Sequence, residues 1–321
     1  MKVSKNEVYR LAGVSKQAFH QYLQRRNGFE DRALDLIRQV DSLRSEHPGC
    51  GLEKAYYTLQ PDWIGRDRFV SLFMSLGYGV KRKKAPNRTT IPTHVRFPNL
   101  ISGMLIVETD HVWQTDITYF MVGSRFYYLV FIIDVYSRVV RGYSVSDNLR
   151  AEANKAALAI ALKGRGHLEG LVHHSDRGSQ YVDRSYQKML TDRGVRVSMG
   201  LNAQDNAYAE RVNGIIKNEY LIYQSISDLT QLKTAVRRAV KHYNEKRIHL
   251  SLPDKKTPLE FEQTLASIEY QDRPKVIIYA DGNNNLKGAS SPLEVVPRAE
   301  PKAHICPIVN SHTKRSTLFR D

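Results

Sequence analysis

Between residues 112 and 199 the chain alternates apolar runs and turns in an order that leaves few folds open. Strand-like runs rich in Val, Ile, Tyr and Phe cover 112–121, 126–134 and 138–145. Only Gly123-Ser124 and Tyr136-Ser137 separate them, and turns this short join antiparallel neighbours. A helical pattern at 151–163 then leads to a strand at 170–175, a helix at 184–193 and a strand at 195–199. Helical patterns at 205–222 and 228–247 follow. Strands that alternate with helices pair in parallel. The pattern predicts an α/β domain over 105–265, a mixed five-stranded sheet with flanking helices.

One residue fits that scheme badly. The stretch "WQTDITYF", Trp113–Phe120, carries Asp116 in the middle of a strand. A buried carboxylate is costly unless it is paired, hydrogen-bonded or bound to metal. For a lone aspartate an exposed position is the simpler reading, but this one has company. "LVHHSDRGSQY" places Asp176 just past a strand, and "QDNAYAERVNGIIKNEY" places Glu210 on a helix, with 33 residues between the two. If the strands bearing the two aspartates are neighbours, both carboxylates reach one end of the sheet. The helix after the last strand then lays Glu210 beside them. Three carboxylates brought together repel unless a cation neutralises them. Mg²⁺ takes oxygen ligands and keeps positions for water and phosphate. Two such ions can serve an in-line phosphoryl displacement.

Charge points the same way. There are 48 Lys and Arg against 33 Asp and Glu, a net charge of +15, with a pI near 9.7. That balance makes nucleic acid the first partner to consider and an anionic membrane the second. No apolar run approaches the ~18 residues of a spanning helix, and "MKVSKNEVYRLAG" has no secretory apolar core. The two cysteines, Cys50 and Cys306, are far apart and form no disulfide framework or zinc-knuckle spacing. His47 and Cys50 have a ligand-like gap without a second pair. The expected home is the reducing cytoplasm.

Residues 1–80 read as a helical, helix-turn-helix-like DNA-binding region. Residues 1–30 suggest two short helices, the first stopped by Gly13 and the second capped by Ser15, with Lys16 and Gln17 exposed to DNA. "RALDLIRQVDSLRSEH" and "GRDRFVSLFMSLGYGV" continue helical through 31–80. A basic linker spans 81–104; its Lys81, Arg82, Lys83 and Lys84 suit a phosphate backbone. Residues 266–321 read as a mobile tail with one possible strand, "KVIIY".

The three acidic motifs, in order, resemble those of the OrfB-type DDE transposases of bacterial insertion sequences, relatives of retroviral integrases. The resemblance also covers "FIIDVYSRVVRGY" and "HYNEKRIHLSLPDKKTPLEF", and 31–80 resembles the family's second helix-turn-helix region. In all it spans roughly residues 1–265 and leaves the tail outside. It implies an RNase H-like catalytic core whose element order matches the one above. Asp116, Asp176 and Glu210 match the metal-binding catalytic triad, using two Mg²⁺ ions for which Mn²⁺ substitutes. Lys217 matches a residue that contacts the element's terminal DNA; Arg211 is a further DNA candidate. Asn206 matches a polar position ordering the helix start, and Gly178, Ser179 and Gln180 shape the turn after Asp176. The spacing between Asp176 and Glu210 is slightly shorter than is usual for the family, through a short "SMGLNAQDNA" loop.

The resemblance implies strand cleavage at element ends by water, then attack of the new 3′ hydroxyl on another phosphodiester. It further implies double-stranded DNA as substrate, a homo-multimer on DNA and an upstream-frame (OrfA-type) partner, with no membrane role. The rivals are an RNase H-like nuclease without strand transfer and a domesticated, inactive DNA-binding protein. Among other polar residues, Asp134 reads as a turn cap, Asp110 as exposed and Asp205 as a helix-start cap. His173 and His174 point to opposite sides of a strand, and neither is assigned as a base. The basic face of "QLKTAVRRAVKHY" suits DNA.

Overall fold

The strand order of the main sheet is β4-β3-β2-β5-β6. These strands are Val112–Val122 (β2), Arg125–Asp134 (β3), Val140–Ser146 (β4), Val172–Ser175 (β5) and Arg196–Met199 (β6), preceded by the short Leu105–Ile106 (β1). β2, β3 and β4 run antiparallel, whereas β5 lies parallel to β2 and to β6. The mixed RNase H-like sheet expected from the sequence is therefore present. It is seen in a computed structural model that describes residues 5–80, 97–200 and 203–278. No described helix is long and apolar enough to cross a membrane.

Strand β3 shows why the sheet is buried on both sides. Leu129, Phe131 and Ile133 face one layer and Val130 and Ile132 the other, all at most 1% exposed. The first layer is covered by Ala207–Ile215 (α7) and Leu229–Glu245 (α8), through Val212, Ile216, Leu232 and Val236. The second is covered by Ala151–Leu162 (α5) and Arg184–Thr191 (α6), through Ala157, Leu158, Tyr186 and Leu190. Gly142 on β4 lets α5 lie close, because a Cβ there would collide with the Ala157 carbonyl. Helix α7 runs on as a π segment, Ile216–Tyr220, and a 3-10 turn, Leu221–Tyr223. Pro258–Thr264 (α9) closes with a capping box between Thr257 and Glu260.

Three expectations are corrected. Residues 16–46 form one 31-residue helix (α2), not a short helix followed by another. Gly28 costs about 1 kcal/mol relative to Ala in a helix; with no proline nearby, it does not end this one. Ser15 does cap it, accepting the Ala18 amide at 3.0 Å, and Lys5–Leu11 (α1) precedes it. Secondly, residues 97–104 are not a loose end of the linker: Ile101 is fully buried, and the Leu100 amide donates to Ser198 Oγ at 2.9 Å. Lys81, Arg82, Lys83 and Lys84 lie outside the described residues. Thirdly, the ordered edge passes 265. Val276–Ile277 (β7) pairs antiparallel with β1, and Ile278 is buried with its amide on Met104 at 3.0 Å. The possible strand at "KVIIY" is real because it covers that apolar edge; residues 279–321 lie outside the described set.

The helical leader adds Leu52–Leu59 (α3) and Arg66–Ser75 (α4), folded around Leu36, Val40, Ala55, Phe69 and Phe73. Its tie to the segment that extends α7 is ionic. Glu219, in the π segment, accepts both Arg247 nitrogens at 2.9 Å, Lys54 Nζ at 2.7 Å and His47 Nε2 at 2.7 Å. The Gly49 amide donates to the Glu219 carbonyl at 2.7 Å, and a Cβ on Gly49 would collide with the Glu219 backbone. His47 thus serves this cluster, and Cys50 is a buried core thiol.

Candidate active site

Strand β2 and helix α7 are stitched together by side chains of β2. Gln114, 1% exposed, donates to the Asp205 carbonyl at 2.8 Å and accepts the Tyr208 and Ala209 amides at 3.0 and 3.4 Å. These amides belong to the first turn of α7, which lacks internal acceptors. The helix start is therefore capped across the sheet by Gln114, where the sequence reading looked to Asp205. Asn206 adds a bond from its amide to the Thr115 carbonyl at 2.8 Å, ordering the helix start as anticipated.

This stitching places Asp116 against α7. Asn213 donates its amide to Asp116 Oδ2 at 2.8 Å. Burial, then the charges of Asp176 and Glu210, push the Asp116 carboxyl up to about 7, against the bonds from the Ile117 amide and Asn213. The three acids are thus within electrostatic reach of one another, with Asp116 and Asp176 half-buried and Glu210 exposed. They are not closed into a shell: among the described residues no three His, Cys, Asp or Glu side chains gather into a metal-ligand cluster.

Asp176 sits where β5 ends. Its Oδ1 accepts the Gly178 amide at 3.0 Å, and a Cβ on Gly178 would crowd Asp176, Gln180 and Tyr181 at 3.0–3.3 Å. Gly178 therefore shapes this turn, Ser179 opens the 3-10 turn Ser179–Val182, and Gln180 ties to the Leu149 carbonyl at 3.0 Å.

Lys217 lies one helical turn along the same stripe from Asn213. Its ammonium donates to Thr118 on β2 at 2.6 Å and stands 5.7 Å from the Tyr119 ring centre. Burial lowers its pKa while Asp116 raises it. Arg211, Lys16 and Gln17 are exposed. On α8, Lys233, Arg237, Arg238 and Lys241 form an exposed basic stripe opposite its buried face.

The remaining polar residues sort by what they touch. Asp134 is fully buried and accepts the Tyr136 and Ser137 amides at 3.0 and 2.7 Å, the turn-capping role expected. Asp110 is not simply exposed: it accepts Trp113 Nε1 at 2.9 Å and pairs with Arg141 and Arg165. His173 bonds Tyr186 at 2.7 Å and His174 bonds Ser198 at 2.8 Å. Burial pushes their pKa values down to about 3 and about 4, so both are neutral structural groups. Sequence reading missed Gln114, Asn213 and Glu219. Their partners are distant in sequence, and no local pattern marks them.

Two sequence patterns described as integrase core domain match residues 107–203 and 194–258. The transposase for insertion sequence element IS629 of Shigella sonnei is 33% identical over 220 residues, 66% of this chain and 74% of that protein. The 31 kDa protein of insertion element IS600 of Shigella sonnei is 30% identical over 251 residues, 75% of this chain and 92% of that one. Among solved structures, the magnesium complex of the HTLV-2 integrase catalytic core aligns at 22% identity and a TM-score of 0.39. It covers 51% of this chain and 99% of that one. The simian T-cell lymphotropic virus intasome with a PP2A regulatory subunit aligns at 23% and 0.40, over 69% and 73%.

Proposed function

The chain belongs to the insertion-sequence transposases built on an integrase core domain, and we propose that Asp116, Asp176 and Glu210 are its catalytic carboxylates. It is a DNA transposase of the DDE polynucleotidyl transferase class. The observation that carries the site reading is the docking of strand β2 on helix α7, which sets the Asp116 carboxylate on Asn213 at 2.8 Å, beside the helix that bears Glu210.

A divalent metal fits these residues. Their donors are all oxygen, the preference of Mg²⁺, with Mn²⁺ as a substitute. The charges of Asp176 and Glu210 disfavour ionisation of Asp116, and a divalent cation would relieve that repulsion. Two bound ions would supply activation of the attacking oxygen and charge stabilisation at the leaving one. The protein's own part is placement. β2 fixes Asp116 rigidly, Gly178 shapes the turn of Asp176, and Gln114 docks the helix start that presents Glu210. Asn213 orients one Asp116 oxygen.

The reaction proposed is hydrolysis of one strand at an element end, followed by transesterification through the exposed 3′ hydroxyl. The substrate is double-stranded DNA, held by a homo-multimer, with an upstream-frame partner as an additional component. Lys217, Arg211, Lys16 and Gln17 are proposed DNA contacts, as are Lys81, Arg82, Lys83 and Lys84. The helical leader up to residue 80 and a core running from residue 97 to 278 are proposed as the working divisions, with residues 81–96 between them.

The test uses DNA bearing the segments that flank this gene, purified protein and Mg²⁺ or Mn²⁺, beside Asp176→Asn. Discrete nicks at an inverted repeat plus joined strands, both absent in the variant, are expected. Cutting without joining would replace this reading with a nuclease.

A further inference from the structure

Helix α7 carries two adjacent stripes. Glu210, Asn213 and Lys217 form one, turned to β2. Arg211, Gly214 and Asn218 form the other, and this second stripe lines a groove of about 400 Å³. Its far side comes from the leader, through Lys54, and from the segment after α8, through His249 and Ser251.

The groove has a defined chemistry. Arg211 and Asn218 are exposed at its mouth. His249 is 6% exposed, and its Nε2 finds no hydrogen-bond partner. His249 lines the groove, so this nitrogen is open to a hydrogen bond with a group bound there. The ring is neutral, because burial, then the Arg247 charge, pushes its pKa down to about 2. A neutral imidazole nitrogen either accepts or donates, which suits the edge of a base. Gly214 leaves the floor without a side chain: a Cβ there would meet only the Asn218 amide, at 4.0 Å. The volume falls in the range that holds a small organic ligand.

We propose that this groove receives one nucleotide unpaired from the DNA, its phosphate on the exposed Arg211 and its base edge on Asn218 and His249. The inference rests on the transposase reading above. Extruding a base sacrifices its stacking and pairing, and least is lost where the duplex is frayed or distorted. A groove one stripe away from Glu210 would hold such a base close to the phosphodiester being cut. It would thereby discriminate an opened DNA end from intact duplex.

The test uses the full chain and duplexes from the gene's flanks, with 2-aminopurine placed in turn at each position around the mapped nick. On binding, one position should brighten as its base leaves the stack. Gly214→Leu fills the groove, replaces a helical glycine with a better helix former, and should abolish that signal. Asn218→Ala should weaken binding to a duplex with that base unpaired by roughly three- to tenfold, the value of one hydrogen bond. Metal-dependent nicking by the unaltered protein is read in the same samples. Nicking with no brightened position, or brightening that survives Gly214→Leu, overturns the groove assignment and leaves the transposase reading standing. Absence of nicking overturns both.

Discussion

The side-chain amide of Asn213 holds the Asp116 carboxylate at 2.8 Å, so the helix that presents Glu210 also grips the aspartate of the central strand. Groups that orient a metal-binding residue typically contribute 10–100-fold to activity or affinity. Asn213→Ala should lower metal-dependent nicking by about that factor. The bond lowers the Asp116 pKa, so its loss raises that pKa further and moves the rising limb of the pH–rate curve to higher pH. A rate unchanged across pH 6–9 would remove Asn213 from the mechanism.

Asp116 also links stability to pH. Its folded pKa, about 7, lies above the ordinary 3.8, so the folded protein favours the protonated carboxyl. That contribution is fully present below about pH 4 and is lost as pH rises through about 7. Without divalent metal, the melting temperature of the wild type should fall between pH 6 and pH 8. Asp116→Asn should flatten this decline, and Mg²⁺ should raise melting at pH 8 in the wild type alone. Thermal melts with and without EDTA measure both effects.

Glu219 anchors a cluster with Arg247, His47 and Lys54. Burial raises its pKa, but the bonds from His47 and Arg247 and the charges of Arg247 and Lys54 overcome this and hold it far below the carboxylate range. Removing one partner of a buried ion pair costs about 3–5 kcal/mol. Glu219→Ala should cost about that much at pH 7, because Arg247, with its side chain 4% exposed, loses its counter-charge. The Glu219 contribution is present above its unfolded pKa near 4.5 and is lost as pH falls below it. Urea melts of both proteins should therefore converge in acid.

His173 and His174 give a second acid sensitivity. Their folded values, about 3 and about 4, lie below the ordinary 6.5. Stability is fully present above pH 6.5 and falls as pH drops toward 4, since only the unfolded chain takes up these protons. Each contributes a slope of about 1.4 kcal/mol per pH unit across that window. Phenylalanine at either position should reduce the slope between pH 6 and pH 5, as read from urea midpoints.

The sheet was legible in the sequence because it depends on local periodicity. β3 is a largely apolar run, β2 is one interrupted by Gln114, Thr115, Asp116 and Thr118, and they join through Gly123, whose φ of 60° suits the tight turn. The acids were legible as a set because each interrupts or follows such a run. Partners from distant parts of the chain were not. Gln114 reads as one polar residue in a strand, yet it caps a helix more than 90 positions later. Glu219 reads as a solvated helical acid, yet it binds His47, 172 positions away. The length of α2 was missed because Gly28 is a local stop signal with no steric force to back it.

The contact of Gly49 with Glu219 has a consequence for descent. Any side chain at residue 49 would strike the Glu219 backbone, and any residue but an acid at 219 would strand the Arg247 and Lys54 cations and leave the buried His47 without its partner. The leader and the core are therefore matched to each other at this contact. A chimaera that exchanges leaders between related elements must carry both halves of that contact, and lineages that shuffle DNA-recognition segments freely must cut the chain elsewhere.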